Sequence, residues 1–221
     1  MLVPAPDCAL CPRLATFRAD ARDRFPGWHN APVPSFGTTD AEVLIVGLAP
    51  GLKGANRTGR PFTGDYAGEL LYQTLLKLGL AAGSYGRTPD DGLRLKRCRI
   101  TNAVRCVPPA NRPTPEEVRT CGRFLAAEIA ALPRLHTIVA LGTVAHGACF
   151  AALGLRASAW RFNHGAQHLL PDGLRVIDSY HCSRQNTNTG RLTTVMFEAV
   201  LAQILDRSPA RRHTRDWPSA V

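Results

Sequence analysis

The stretch AEVLIVGLAPGLKGANRTGRPFTGDYAGELLYQTLLKLGL, residues 41–80, decides the class of fold. Its apolar run from Glu42 to Val46 is continuous rather than alternating, which is typical of a strand that is covered on both faces. After a long loop that contains Gly and Pro, the leucines between Tyr66 and Leu80 form one broad stripe at helical spacing. The stretch therefore predicts a buried strand, a loop and a helix.

The same alternation continues along the chain. Further strands are predicted at Arg99 to Val104, Thr137 to Leu141 and Leu174 to Ile177, and further helices at Thr114 to about Leu132, Gly142 to Leu153 and Arg191 to Leu205. Strands that alternate with helices are joined by right-handed crossovers into a parallel sheet with helices on both faces. The sequence thus predicts an α/β fold whose active groups lie beyond the carboxyl ends of the strands.

The 221 residues suit one domain. We expect residues 1–40, which are rich in Pro and Arg, to be an irregular lead-in, and about 207–221 to be a loose basic tail. No apolar run reaches the ~18 residues that span a bilayer, and the start has no secretion-signal pattern. We therefore expect a monomeric cytoplasmic protein with no membrane partner.

The chain is strongly basic, with 27 Lys and Arg against 17 Asp and Glu and a net charge of +10. This excess favours a polyanionic partner such as nucleic acid. Part of it lies in RSPARRHTR, residues 207–215, which is equally consistent with a solvated basic arm.

The seven cysteines are an odd number, which argues against a disulfide framework. Cys8 and Cys11 form a C-x-x-C pair, while Cys106 and Cys121 bracket a Pro-rich loop that can bring their sulfurs together. We expect these four thiolates to converge on a metal. Zinc and an iron–sulfur cluster both accept four Cys ligands, and the spacing does not choose between them.

The loop from Gly47 to Asp65 is not a phosphate loop. Lys53 precedes Gly54 rather than Ser or Thr, and the glycine spacing does not fit G-x-G-x-x-G. An aromatic residue on a Gly- and Pro-rich scaffold, Phe62, instead suits stacking on a flat ring. The loop therefore indicates a site for a nucleic-acid base, which enzymes extrude from the helix and read by hydrogen bonds.

Polar groups that could read such a base follow two other predicted strands. Asn102 offers a carboxamide that both donates and accepts, as a pyrimidine edge requires. His181 offers a donor for negative charge that develops on an oxygen of a departing base.

Three motifs together resemble the uracil-DNA glycosylase superfamily, and within it the family 5 (type B) bacterial and archaeal enzymes. They are GLAPGLKGANRTGRPFTGD, ITNAVRCVPPANRPTPEEVRTC and SYHCSRQNTNTGRLT, and the resemblance runs from Cys8 to about Leu192. It implies a three-layer α/β/α sandwich with a four-stranded parallel sheet, and a [4Fe–4S] cluster on Cys8, Cys11, Cys106 and Cys121. It also implies a DNA repair enzyme that flips uracil, and other deaminated bases such as hypoxanthine, out of double-stranded DNA and hydrolyses the N-glycosidic bond to leave an abasic site.

The resemblance also assigns roles to the base site. Phe62 would stack on the flipped base, Asn102 would read its edge, and His181 would stabilise the leaving base. Gly47 and Ala49 would let the backbone approach the nucleotide.

The first motif departs from the pattern of most relatives, which carry Asp, Asn or Glu where this chain has Leu48. Asp65 is the natural substitute as the group that activates water or stabilises the sugar cation. Asp immediately before a helix is also a good N-cap, and the two roles are equally favoured.

Contacts to DNA are expected from Lys53, Arg57, Arg60, Ser183, Arg184, Asn186 and Arg191. Asn188 is a further candidate. Arg191 or Leu192 would fill the space that the flipped base vacates. The pair His164 and His168 has the spacing of helical metal ligands but no third ligand, and we interpret it as surface residues.

Two other functions stay open from the sequence. One is a non-catalytic iron–sulfur or zinc module that binds nucleic acid, and the other is a nucleotide-binding enzyme that uses the loop for phosphates.

Overall fold

The computed structural model describes residues 1–206, so the predicted basic tail lies outside the described residues. Its strands are β1 Val43–Gly47, β2 Ala81–Ala82, β3 Arg94–Leu95, β4 Cys98–Asn102, β5 Thr137–Leu141, β6 Gln167–Leu169 and β7 Arg175–Ser179. Its helices are α1 Pro12–Arg24, α2 Ala55–Thr58, α3 Tyr66–Lys77, α4 Pro115–Ala130, α5 Thr143–Ala152, α6 Arg184–Asn188 and α7 Thr194–Ala202.

The central sheet has the order β4-β1-β5-β7-β6. The first four strands are parallel, as predicted, and β6 is a fifth, antiparallel edge strand that the prediction lacked. The residues Pro171, Asp172 and Gly173 form the tight turn between β6 and β7, with Gly173 N–H donating to the Leu170 carbonyl. A Pro-Asp-Gly turn signals a hairpin, so the sequence contains a signal from which this strand could have been predicted.

The sheet lies between two helical layers, which confirms the three-layer α/β/α architecture. In β1, Val43 and Ile45 face a core formed with α3 and α7, while Leu44 and Val46 face a second core formed with α4 and α5. Both sets are fully buried because successive side chains of a strand point to opposite faces. In residues 1–206, no helix has the length and apolar character needed to cross a membrane.

The prediction of an irregular lead-in was wrong, because residues 12–24 form α1. Pro12 occupies the first turn, where its missing N–H costs nothing. Arg22 and Arg24 lie in the last turn, where their positive charges interact favourably with the negative end of the helix dipole. The buried face consists of Leu14, Arg18 and Ala21. Because an arginine lies in the centre of this face, the sequence shows no apolar stripe at helical spacing.

One buried carboxylate ties α4 to the end of β4. Glu128 is paired with Arg99, at 2.6 Å between Nε and Oε1, and with Arg105. All three side chains are buried. This link fixes the chain on both sides of Asn102.

We predict that Glu128→Ala lowers the free energy of unfolding by about 3–5 kcal/mol, because it leaves two buried guanidinium groups without a carboxylate. Denaturant unfolding measures the change. The control is Glu116→Ala, which removes an exposed carboxylate from the first turn of the same helix. Equal losses in the two variants would contradict the prediction.

Candidate active site

The ends of three strands meet at one edge of the sheet. Gly47 ends β1 and pairs with Asn102, which ends β4. Ser179 ends β7, and His181 follows two residues later. The rings of Phe62 and His181 face each other there, with 5.9 Å between their centroids and 27° between their planes. The structure thus brings together the side chains that the sequence assigned to a base.

Gly47 allows this close approach. A Cβ at this position would collide with the Asn102 side chain and the Phe62 ring. Asn102 is 4% exposed, and within residues 1–206 its carboxamide has no hydrogen-bond partner. Its donor and acceptor are therefore both available to a ligand.

The position of Phe62 depends on residues that the sequence analysis missed. Phe62 has a φ of 54°, in the left-handed region that non-glycine residues rarely adopt. The Tyr85 hydroxyl donates to the Phe62 carbonyl at 3.2 Å and accepts from Gly64 N–H at 3.3 Å, while the Tyr72 hydroxyl donates to the Pro61 carbonyl. Tyr85 lies between β2 and β3, and no pattern around it signals this role.

His181 is an uncharged group near neutral pH. Burial lowers the pKa of its imidazole to about 4, and its buried Nδ1 has no hydrogen-bond partner within the described residues. The Asn186 side chain donates to the His181 carbonyl at 2.8 Å and so holds this segment. A neutral imidazole can stabilise charge that develops on a ligand without bringing a full positive charge into the site.

Asp65 occupies the N-cap position of α3, which is one of the two roles that the sequence predicts for it. It precedes α3, and its Oδ1 accepts from Gly68 N–H at 3.2 Å. Oδ2 faces Gly51 and Gly54, where a Cβ on Gly54 would collide with it. Burial raises the pKa of this carboxyl.

Asp65 also lies near the segment that carries His181. Burial and then the charge of Asp65 raise the pKa of the Cys182 thiol, which follows His181 directly. The carboxylate is therefore within electrostatic reach of the segment that carries His181.

Four basic side chains and two polar residues lie around the carboxyl ends of these strands. Lys53, Arg57, Arg184 and Arg191 are exposed, as contacts to phosphate require. The Arg184 guanidinium lies 5.5 Å from the Tyr66 ring centroid, and that of Arg191 lies 4.6 Å from the Tyr180 ring centroid. Ser183 caps α6 by accepting from Asn186 N–H.

Three expectations about this surface need correction. Arg60 is 5% exposed and binds both carboxylate oxygens of Asp91, at 2.8 and 2.6 Å, so it braces the loop instead of facing phosphate. Leu192 is 1% exposed within the core beside α7, so it is not available as a wedge.

His168 is not a surface residue but lies on β6, where Nε2 contacts Asp178 Oδ2 at 2.9 Å. His146 contacts the other oxygen of Asp178, which joins β6, β7 and α5.

The four cysteines of the predicted metal site line one cavity. Apolar neighbours complete its wall: Leu14, Val104 and Phe124. Ala49 packs against this group, so the cavity adjoins the loop after β1. The predicted folding back of the Pro-rich loop thus occurs.

The two candidate groups make different demands on the spacing of the thiols. Four sulfurs bound to one tetrahedral zinc at ~2.3 Å would lie about 3.8 Å apart. Within residues 1–206, no three cysteine sulfurs lie within 4.8 Å of one another. A cluster of several irons holds its thiolates further apart because each binds a different iron. Four thiols around one cavity fit a group that takes four cysteine ligands.

Comparisons with known proteins agree with this geometry. The model of the uracil DNA glycosylase superfamily matches residues 34–205. The chain therefore belongs to this superfamily, as its motifs predict, and it is a glycosylase enzyme.

The relatives place it more narrowly. The chain is 49% identical over 202 residues to the type-5 uracil-DNA glycosylase of Thermus thermophilus, which covers 89% of this chain and 91% of that protein. It is 43% identical to the type-5 enzyme of Pyrobaculum aerophilum over 92% of this chain and 88% of that protein. The type-4 enzyme of Archaeoglobus fulgidus is 40% identical but covers only 51% of this chain and 49% of its own length.

The neutral state of His181 predicts a pH-dependent stability. The unfolded chain binds a proton at this residue near pH 6.5, whereas the folded chain does so only near pH 4. The contribution of His181 to the free energy of unfolding is therefore fully present above pH 6.5 and is lost as the pH falls towards 4. We expect His181 to account for a loss of about 2 kcal/mol, measured as the difference between the wild type and His181→Gln in denaturant unfolding at pH 7.5 and 4.5. The same pH dependence in both proteins would contradict the assignment.

Proposed function

We propose that this protein excises uracil from DNA by hydrolysing the N-glycosidic bond, which leaves an abasic site. The observation that carries the proposal is the neutral, partly buried imidazole of His181 beside Phe62, together with an Asn102 carboxamide that has no partner within residues 1–206. The names of the type-5 relatives support uracil in DNA as the substrate.

The mechanism follows from the charges that the reaction creates. Cleavage of an N-glycosidic bond builds positive charge on the sugar and negative charge on the base. Phe62 stacks on the extruded base, and Asn102 pairs with its edge. His181 donates a hydrogen bond to the base oxygen where negative charge develops. Asp65 offsets the charge on the sugar and holds the attacking water, because Leu48 supplies no carboxylate to the loop after β1.

We further propose that the substrate is double-stranded DNA and that the protein acts as a monomer on uracil and other deaminated bases such as hypoxanthine. One carboxamide that donates and accepts can pair with more than one base edge. Lys53, Arg57 and Arg184 bind phosphates, and Arg191 fills the space of the flipped base.

We also propose that Cys8, Cys11, Cys106 and Cys121 bind a [4Fe–4S] cluster. Its role is structural: it joins residues 8–11, before α1, to the chain around β4 and α4. This proposal predicts about four irons per chain and a broad brown absorbance. Cys106→Ser should lose both, and Cys98→Ala, which removes a buried thiol outside the cavity, should keep both. A colourless protein with one zinc per chain would overturn the assignment.

The activity is tested with duplexes that carry uracil, hypoxanthine or xanthine, followed by alkali cleavage at abasic sites. We expect Asp65→Ala to lower the single-turnover rate on uracil at least about 100-fold while DNA binding is retained. Asp65→Asn separates the two roles of this residue, because Asn caps a helix as well as Asp but carries no charge. The exposed Asp90, changed to Ala, is the control.

The outcomes separate the candidate functions. A loss with Asp65→Asn equal to that with Asp65→Ala supports the catalytic charge, whereas full activity of Asp65→Asn would leave Asp65 as a cap only. Salt-dependent binding without abasic product from any duplex would instead support a non-catalytic binding module.

A further inference from the structure

A buried cation lies beside the cysteine cavity. Arg18, in the centre of the buried face of α1, is 3% exposed. Its Nη1 donates to Cys106 Sγ at 3.2 Å, and its Nη2 donates to the Cys8 carbonyl at 2.9 Å. Its Nε is buried and has no partner within residues 1–206.

The surroundings of Arg18 differ from those of the other buried arginines. Arg60 is paired with Asp91, and both Arg99 and Arg105 are paired with Glu128. In the described part of the chain, no carboxylate is paired with Arg18. A buried guanidinium without a negative partner is costly, so its compensating charge has to come from the sulfur atoms that it faces.

The contacts of Arg18 also join the two halves of the cysteine set. Cys8 belongs to the N-terminal pair, and Cys106 belongs to the pair that brackets the Pro-rich loop. A second sulfur of that pair, Cys121 Sγ, accepts from Arg105 N–H at 3.3 Å. Two sulfurs of the site thus accept hydrogen bonds from nitrogen, and in residues 1–206 Arg18 is the one residue whose charged side chain donates to one of them.

We propose that Arg18 is a positioning residue of the cysteine site whose charge compensates the thiolates of a bound iron–sulfur cluster and raises its reduction potential. The proposal rests on the cluster proposed above. Hydrogen bonds and positive charge at the sulfurs favour the reduced cluster, which carries one more negative charge than the oxidised cluster. Because the contact is buried, water screens it little.

The test compares three variants of the iron-loaded protein: Arg18→Gln, Arg18→Lys and Arg24→Gln. Gln removes the charge and keeps N–H donors, whereas Lys keeps the charge and loses the planar fork. Arg24 is an exposed arginine on the same helix, so its variant controls for net charge. The reduction potential is measured by titration with dithionite under optical monitoring. The rate of iron release to a ferrous chelator is the second readout.

For Arg18→Gln we expect the ratio of oxidised to reduced cluster at a fixed potential to rise about tenfold, which corresponds to about 59 mV for one electron. We also expect iron release to be at least about tenfold faster. Arg18→Lys and Arg24→Gln should retain the wild-type potential within about a factor of three. If Arg18→Gln does not retain iron, the proposal is supported by an Arg18→Lys variant that binds iron and has the wild-type reduction potential.

Three results would overturn the proposal: a wild-type potential in Arg18→Gln, equal shifts in Arg18→Gln and Arg24→Gln, or failure of both Arg18 variants to bind iron. Absence of iron from the wild-type protein would overturn it together with the cluster. Excision of uracil by that iron-free protein would leave the proposed activity standing, so the two failures are distinguishable.

Discussion

The pairing of Gly47 with Asn102 at the ends of β1 and β4 is the constraint on which the site depends. Because residue 47 has no side chain, the Asn102 carboxamide and the Phe62 ring can occupy the space directly above the end of the strand. Any Cβ there would displace both groups. One backbone position therefore creates the space and determines which side chains border it.

Buried ion pairs hold the elements that carry these side chains. Glu128 binds arginines on both sides of Asn102, and Asp91 binds Arg60 directly before the segment that carries Phe62. These pairs need not raise the net stability, since desolvation offsets much of their attraction. Their geometry is directional, however, so one fixes the strand end against α4 and the other fixes the loop against the segment between β2 and β3. The excess of positive charge in this protein is therefore divided between buried arginines that hold the fold and exposed ones that face solvent.

Most of the fold could be predicted because its signals are local. Continuous apolar runs marked β1, β4, β5 and β7, and Thr114 as an N-cap, followed by Pro and two acidic residues, marked the start of α4. The positions of Asn102, Phe62 and His181 at one edge followed from parallel topology. The bracing of Phe62 by Tyr85 and the burial of Arg60 could not be predicted, because they depend on contacts between segments distant in sequence. The helix α1 was missed because its buried face uses Arg18 in place of an apolar residue.

The location of Asp65 constrains the role that a carboxylate can have in the proposed mechanism. At the N-terminus of α3, the Gly68 N–H and the positive end of the helix dipole favour its ionised form and so lower its basicity. Burial opposes this and raises the pKa of the carboxyl, while Oδ1 accepts from Gly68 N–H and Oδ2 faces the glycines of the loop. In the proposed mechanism, a carboxylate held in this way can stabilise positive charge on the sugar and orient water, and its raised pKa also allows it to accept a proton from that water. Proton removal then comes late, after the bond to the base has largely broken, as expected for a transition state that resembles an oxocarbenium ion.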